Sequence, residues 1–286
     1  MTFTRRQTMI LLAFAALLLG FTLFQASWLA DKPTGRPKLI ADRAAEPVRD
    51  AAGCVASANS GYGGIAVSPD VGALQAAAGS GADAIRITTV IAGGALVVAP
   101  QFESKCATDQ TRLHSTIADA TRGLTRPELF WQINGETEVM QLVAALPTPA
   151  IDMPDRNIII GDRAAVRYIK GLRPSHDAFS VAGARQCAAD YRIAGIWGNV
   201  PEACRDGFML LTLDDLGYTL WGWPNRFLAR MKEAGVRLII AQEVVDGQIR
   251  GLTEVDQYGD IANSYNGYIW VDDIEELGPA LRRNGP

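Results

Sequence analysis

The side chains best suited to acid–base or metal chemistry are few and scattered. Histidine, which titrates nearest neutrality, occurs only twice in the 286 residues, as His114 and His176. His114 lies in a polar segment and His176 follows Pro174-Ser175 in a predicted loop, so both are expected to be exposed bystanders. Glu243, Asp246, Glu254, Asp256 and Asp260 supply enough carboxylates to suggest calcium. A calcium loop needs oxygen ligands at short, fixed intervals; this spacing matches none, and a solvated acidic surface is expected instead. Trp221 and Trp223 stand beside Pro224 and offer either an aromatic wall for a ligand or packing mass.

The 4 cysteines are Cys54, Cys106, Cys187 and Cys204, and their separations do not resemble paired zinc knuckles. An even count in an oxidising compartment permits two disulfides, in any of three pairings. The expected pairing is Cys54 with Cys106 and Cys187 with Cys204; buried free thiols are the alternative.

That compartment is set by the N-terminus. Arg5 and Arg6 precede an uncharged stretch from Met9 to Ala30, long enough to cross a hydrocarbon core of about 30 Å. The arginines favour the cytoplasmic side and Trp28 suits the far interface. The reading is a cytoplasmic N-terminus over 1–8, a membrane-spanning signal-anchor over 9–30, a breaker-rich linker over 31–37, and a domain over 38–286 on the periplasmic or extracellular side of the cell membrane. A cleaved signal peptide is the rival, although the exit around Ala26, Ser27 and Ala30 lacks a clean small-x-small site. The formal net charge of −4 comes from interspersed charges without a basic stripe, which sets nucleic-acid binding aside.

Within the domain, short apolar runs alternate with helical stretches. Strands are expected at Lys38 to Ala41, around Ile85 and Ile87, and at Ala95 to Ala99, Phe130 to Ile133, Asn157 to Ile160, Phe208 to Leu213, Val236 to Ala241 and Gly267 to Val271. Helices are expected at Val71 to Gly81, Glu138 to Leu146, Ala164 to Lys170, Val181 to Ala194, Arg226 to Ala234 and Ile274 to Arg283, the last broken by Gly278-Pro279. Regular βα alternation predicts a parallel sheet, either closed as a barrel or opened as a doubly wound sheet.

Several of these segments carry a family likeness. Ile40-Ala41-Asp42-Arg43-Ala44, Gly81 through Thr88, and Leu96 through Gln101 resemble in order the opening motifs of the glycerophosphodiester phosphodiesterase family. Cys187, Tyr191, Gly195, Gly198, Pro201 and Cys204, then Trp221 through Met231, then Gly267-Tyr268-Ile269-Trp270, look like a bacterial branch of it. The resemblance implies a TIM-barrel-like (β/α)8 domain related to phosphatidylinositol-specific phospholipase C. It also implies one shortened or missing βα unit, because Leu124 to Glu128 link neighbouring elements almost directly.

The departures fall where that family does its chemistry. Its His-Arg pair, its Glu-x-Asp pair and its His-Asp pair correspond here to Asp42-Arg43, Arg86 with Thr88, and Pro100-Gln101. Its further glutamates and lysine would fall at Ser68, Gln132 and Asn134. Two histidines acting as acid and base, with carboxylates around a divalent cation, cannot be rebuilt from these residues. The resemblance therefore implies a membrane-anchored pseudoenzyme, with no catalytic residue, metal site or cofactor expected. Asp42, Arg43 and Arg86, with Trp221 and Trp223, are its candidate ligand-binding residues. At a barrel mouth, Asp42 and Arg86 would form an ion pair, or Arg43 and Arg86 a fork for phosphate or carboxylate. A phosphate-containing small molecule or an envelope protein would be the partner. The alternatives are an active phosphodiesterase on glycerophosphodiesters or lipid head groups, using calcium or magnesium, and a structural envelope protein with no ligand.

Overall fold

The apolar runs become the staves of one sheet in a computed structural model, which describes residues 5–42, 69–98, 115–121, 124, 126–146, 156–217 and 219–284. Helix α1 (Arg5–Gln25) leads into β1 (Lys38–Ala41), α2 (Pro69–Gly79), β2 (Ala84–Ala92), β3 (Ala95–Val98), β4 (Ser115–Thr116), α3 (Ile117–Thr121), β5 (Glu128–Ile133) and α4 (Gly135–Ala145). The chain continues through β6 (Asn157–Gly161), α5 (Arg163–Leu172), β7 (Ala178–Phe179), α6 (Val181–Ala194), β8 (Phe208–Thr212) and α7 (Asn225–Glu233). It ends with β9 (Arg237–Ala241), the hairpin β10 (Glu243–Val245) and β11 (Gln248–Arg250), β12 (Tyr268–Val271) and α8 (Ile274–Asn284).

Eight of these strands run parallel in the order β7-β6-β5-β2-β1-β12-β9-β8. This is the sheet of a (β/α)8 barrel, nearly closed. Among the described residues no ladder joins β7 to β8, so one seam stays open. The short connection at Leu124 to Glu128 removes no strand. Between β2 and β5 the chain instead places the antiparallel β3 and β4 and the five-residue α3.

Side chains alternate across the strands, as the two-residue period requires. Ile40, Phe130, Leu210, Ile239 and Trp270 fill the barrel interior, whereas their neighbours Leu39, Trp131, Met209, Ile240 and Ile269 pack outward under the helices. Phe130 meets Tyr268, Trp270, Phe179 and Phe208 edge-on, with centroids 5.6 to 6.4 Å apart. The floor is sealed by charge: Lys38 Nζ lies 2.5 Å from Glu128 Oε1, the Tyr268 hydroxyl donates to Glu128 Oε2 at 2.5 Å, and Arg237 pairs with Asp177. Burial, reinforced by the Glu128 carboxylate, pushes the Tyr268 hydroxyl above the usual phenol range.

Helix α6 closes the seam. Ala184 joins the interior cluster, and Arg185 Nη1 donates to the Leu210 carbonyl of β8 at 3.1 Å, taking a bond that a neighbouring strand would otherwise make. Arg185 and Arg192 both pair with Asp215, whose Oδ2 also accepts from Thr212 N at 2.7 Å. Burial alone would raise the Asp215 carboxyl, but the bonds from Arg185 and Thr212 outweigh it and hold the group below its ordinary value. A disulfide joins Cys187 on α6 to Cys204 just before β8, as expected from the sequence. Cys54 and Cys106 lie outside the described residues.

Two sequence expectations fail. His176 is buried, 5% exposed, because the chain dives straight from Ser175 into the floor beside Asp177 and β7. His114 lies outside the described residues. Gly278-Pro279 does not break α8, which runs through both to Asn284. Proline removes a single ladder bond, and the turns around it still bury Leu277 and Leu281.

Candidate functional site

The C-terminal rim of the strands is where barrel sites form, and the alternation decides which side chains reach it. Ile40 and Ala84 point inward as register partners, so Asp42 and Arg86, two residues further on, also face the interior. Phe130 places Gln132 the same way, and Trp270 on β12 completes the ring.

These four side chains form one network. Arg86 Nη2 donates to Asp42 Oδ2 at 2.9 Å, Arg86 Nε to the Asp42 main-chain carbonyl at 2.8 Å, and Arg86 Nη1 to Gln132 Oε1. Trp270 Nε1 donates to the other carboxylate oxygen, Oδ1, at 2.6 Å. Asp42 is 8% exposed. Each Arg86 nitrogen and both Asp42 oxygens thus have a partner inside the protein, and the rim charges cancel. Sequence reasoning anticipated the Asp42–Arg86 pair. It missed Trp270 as a donor, although strict alternation along Tyr268-Ile269-Trp270 was the available signal.

This arrangement does not suit a divalent cation. Calcium takes six to eight oxygen ligands and magnesium an octahedron of them. Among the described residues no group of three His, Cys, Asp or Glu side chains could hold a metal ion. Asp42 is committed to N–H donors, and a guanidinium occupies the space beside it. The acidic run Glu243, Asp246, Glu254, Asp256 and Asp260 is exposed, as expected.

The other predicted residues are elsewhere. Arg43, Ser68, Pro100 and Gln101 lie outside the described residues. Trp221 and Trp223 do not join the rim. They pack among the outward-facing cluster, Trp221 donating to the Arg192 carbonyl at 2.7 Å and Trp223 resting on Phe227 and Tyr265. The segment after β8 turns outward along α6 and α7, which places both rings outside the barrel and gives them a packing role. At the rim itself, β10 and β11 rise from the end of β9, and Ile249 reaches back into the interior cluster.

Several solved structures similar to this chain are described as glycerophosphodiester phosphodiesterases. The glycerophosphoryl diester phosphodiesterase domain of a Mycobacterium tuberculosis protein superposes with a TM-score of 0.55 at 13% identity, covering 85% of this chain and 98% of that one. The glycerophosphodiester phosphodiesterase of Agrobacterium tumefaciens gives 0.53 at 12% identity, covering 87% and 100%. That of Parabacteroides distasonis gives 0.52 at 13%, covering 87% and 98%. The chain has their fold. No family model matches the sequence, and no curated protein matches it. At such identities the likeness extends to the architecture alone, and function rests on the rim residues themselves.

Proposed function

We propose that this chain is an exported, membrane-anchored barrel of phosphodiesterase ancestry that has exchanged metal-dependent hydrolysis for binding a phosphate-containing small molecule or an envelope protein. The observation that carries the reading is the Asp42–Arg86 pair at the rim. Where the fold's solved relatives are described as phosphodiesterases, this chain sets a neutral, internally bonded pair. Neither partner is a free general acid or base, and general acid–base catalysis is typically worth about 10² to 10⁴ in rate.

Arg86 retains N–H groups beyond those engaged, and guanidinium binds phosphate through two parallel bonds without a cation. Arg43, adjacent to Asp42 in the chain, is the second arm of the proposed fork. The test is hydrolysis of glycerophosphocholine by purified protein with calcium or magnesium, beside a control with Asp42→Ala, Arg43→Ala and Arg86→Ala combined. The expected result is no activity above that control, with weak metal-independent binding of glycerol phosphate that Arg86→Glu abolishes. Metal-dependent turnover that disappears in the triple variant would overturn the reading and restore an active phosphodiesterase.

The membrane part of the proposal rests on α1, which is apolar and long enough to span a bilayer. Protease added to spheroplasts should remove the domain while the cell pellet retains a fragment containing α1. A domain that survives while an exported control is digested would place it inside.

A further inference from the structure

The apolar segment and the barrel are not separated by a spacer. The Phe21 ring meets Trp221 edge-on at 5.8 Å. Gln25 Nε2 donates to the Gly195 and Ile196 carbonyls at 3.0 and 2.8 Å, and Arg230 Nη1 donates to Gln25 Oε1 at 3.0 Å. The Arg230 guanidinium lies 5.1 Å from the Phe24 ring centroid. Ser27 Oγ then accepts the Asn225 N–H at 2.9 Å, at the start of α7. Gly198, at φ +75°, lets the Phe24 ring approach: a Cβ there would meet Phe24 Cζ at 2.7 Å. Even the following segment runs along the barrel, with Thr34 O accepting from Asn266 at 2.9 Å and Arg36 paired to Asp83 at 3.0 Å.

Length then fixes where the barrel sits. A hydrocarbon core of about 30 Å takes about 20 helical residues. Counted from Arg5, where α1 begins, that reaches Phe24, past Phe21, where contacts with the barrel begin. The wall holding Phe21 to Ser27 is therefore drawn down to the level of the bilayer boundary. That wall is the flank between α6 and α7, and among its exposed side chains are two large apolar ones, Ile193 at 74% and Trp197 at 73%, with Trp28 of the docked segment 75% exposed. Ile193 and Trp197 stand one turn apart, on either side of the Gly195 and Ile196 carbonyls that Gln25 reaches. In water such exposure forfeits about 25 cal/mol per Å² of apolar area, and tryptophan favours the bilayer interface.

We infer that the barrel lies on the outer surface of its own membrane through the α6–α7 flank, with Trp28, Ile193 and Trp197 immersed in the interfacial layer. The inference rests on the proposed membrane crossing. It adds that the anchor's end is built into the barrel wall, so the barrel is held in one orientation.

The test uses the full chain reconstituted in phosphatidylethanolamine–phosphatidylglycerol vesicles, with nitroxide labels on single introduced cysteines and the unsubstituted chain as background. Ile193→Cys and Trp197→Cys report the flank, Leu17→Cys the span, and Met140→Cys, exposed on the distant α4, the aqueous control. Power saturation with oxygen and a water-soluble nickel chelate measures exposure to lipid and to water. The expected result is an oxygen-to-nickel ratio several-fold higher at the flank and span sites than at Met140→Cys. A water-like ratio at the flank with a lipid-like ratio at Leu17→Cys would overturn the docking and leave the anchor standing. A water-like ratio at Leu17→Cys would refute the crossing, and the docking with it. Flank labels shielded from both reagents would mean that protein covers this surface, which also refutes a lipid contact.

Discussion

Asp42 and Arg86 are joined twice, by Nη2 to the carboxylate at 2.9 Å and by Nε to the Asp42 main-chain carbonyl at 2.8 Å. The second bond makes the arginine part of the backbone geometry at the end of β1, so the pair fixes the rim as well as neutralising it. Removing one member of a buried pair costs about 3 to 5 kcal/mol. The Arg86 and Asp42 side chains keep 19% and 12% of their exposure, so Arg86→Met should cost less, about 2 kcal/mol after allowing for solvent screening. Asp42→Asn combined with Arg86→Met should lose less than the sum of the two single changes. Urea unfolding of the four proteins measures the coupling, and strictly additive losses would show that the pair contributes none.

The Cys187–Cys204 bridge closes a loop of sequence separation 17 across the seam that lacks strand pairing. Loops of that size give about 3 kcal/mol in the chain-entropy account. Cys187→Ala with Cys204→Ala should lower stability by about that amount and speed proteolysis near α6. Non-reducing peptide mapping of exported protein should recover the two cysteines in one linked peptide. Recovery of both as alkylated thiols would refute the bridge in the natural compartment.

Much of the barrel was legible because its signals are local. Three of the eight parallel strands, β8, β9 and β12, hold unbroken apolar runs of four residues and β1, β5 and β6 hold runs of three, and α6 and β12 carry motifs recognisable in themselves. What escaped was short or non-local. β7 is only Ala178–Phe179, too brief for any period to register. His176 reads as a loop residue because burial comes from the floor closing around it, a property of strands far away in sequence. The β10–β11 hairpin was overlooked although Asp246-Gly247, both at positive φ, is a favoured two-residue turn. The Asp42–Arg86 pair was anticipated, whereas the outward course of Trp221 and Trp223 depends on how α6 and α7 pack, which composition does not encode.

His176 gives the fold a pH response of definite sign. Burial lowers its pKa from the ordinary histidine value; Asp177 opposes that effect, and Arg173 and Lys170 reinforce it. Below about pH 6.5 the unfolded chain therefore takes up a proton that the native chain resists. Stability from the neutral ring is fully present above that pH and declines as pH falls toward the lower native value. His176→Phe should flatten the dependence of the melting temperature on pH between about 6.5 and 5. Parallel slopes for the two proteins across that window would mean that His176 titrates normally.

Gly278 and Pro279 can be separated by substitution, since the first serves packing and the second merely tolerates its place. A Cβ at Gly278 would collide with the Ser80 main-chain carbonyl, so α8 depends on glycine there to seat against the end of α2. Main chain cannot move aside as a flexible side chain can, and overpacking typically costs about 1 to 3 kcal/mol. Gly278→Ala should fall in the upper part of that range despite the better helix propensity of alanine, which is worth about 1 kcal/mol. Pro279→Ala restores an N–H to the helix ladder and should leave stability unchanged or raise it. Thermal unfolding of the two variants decides between the roles. If Gly278→Ala were neutral and Pro279→Ala destabilising, the helix would depend on the proline and the close approach to Ser80 would carry no weight.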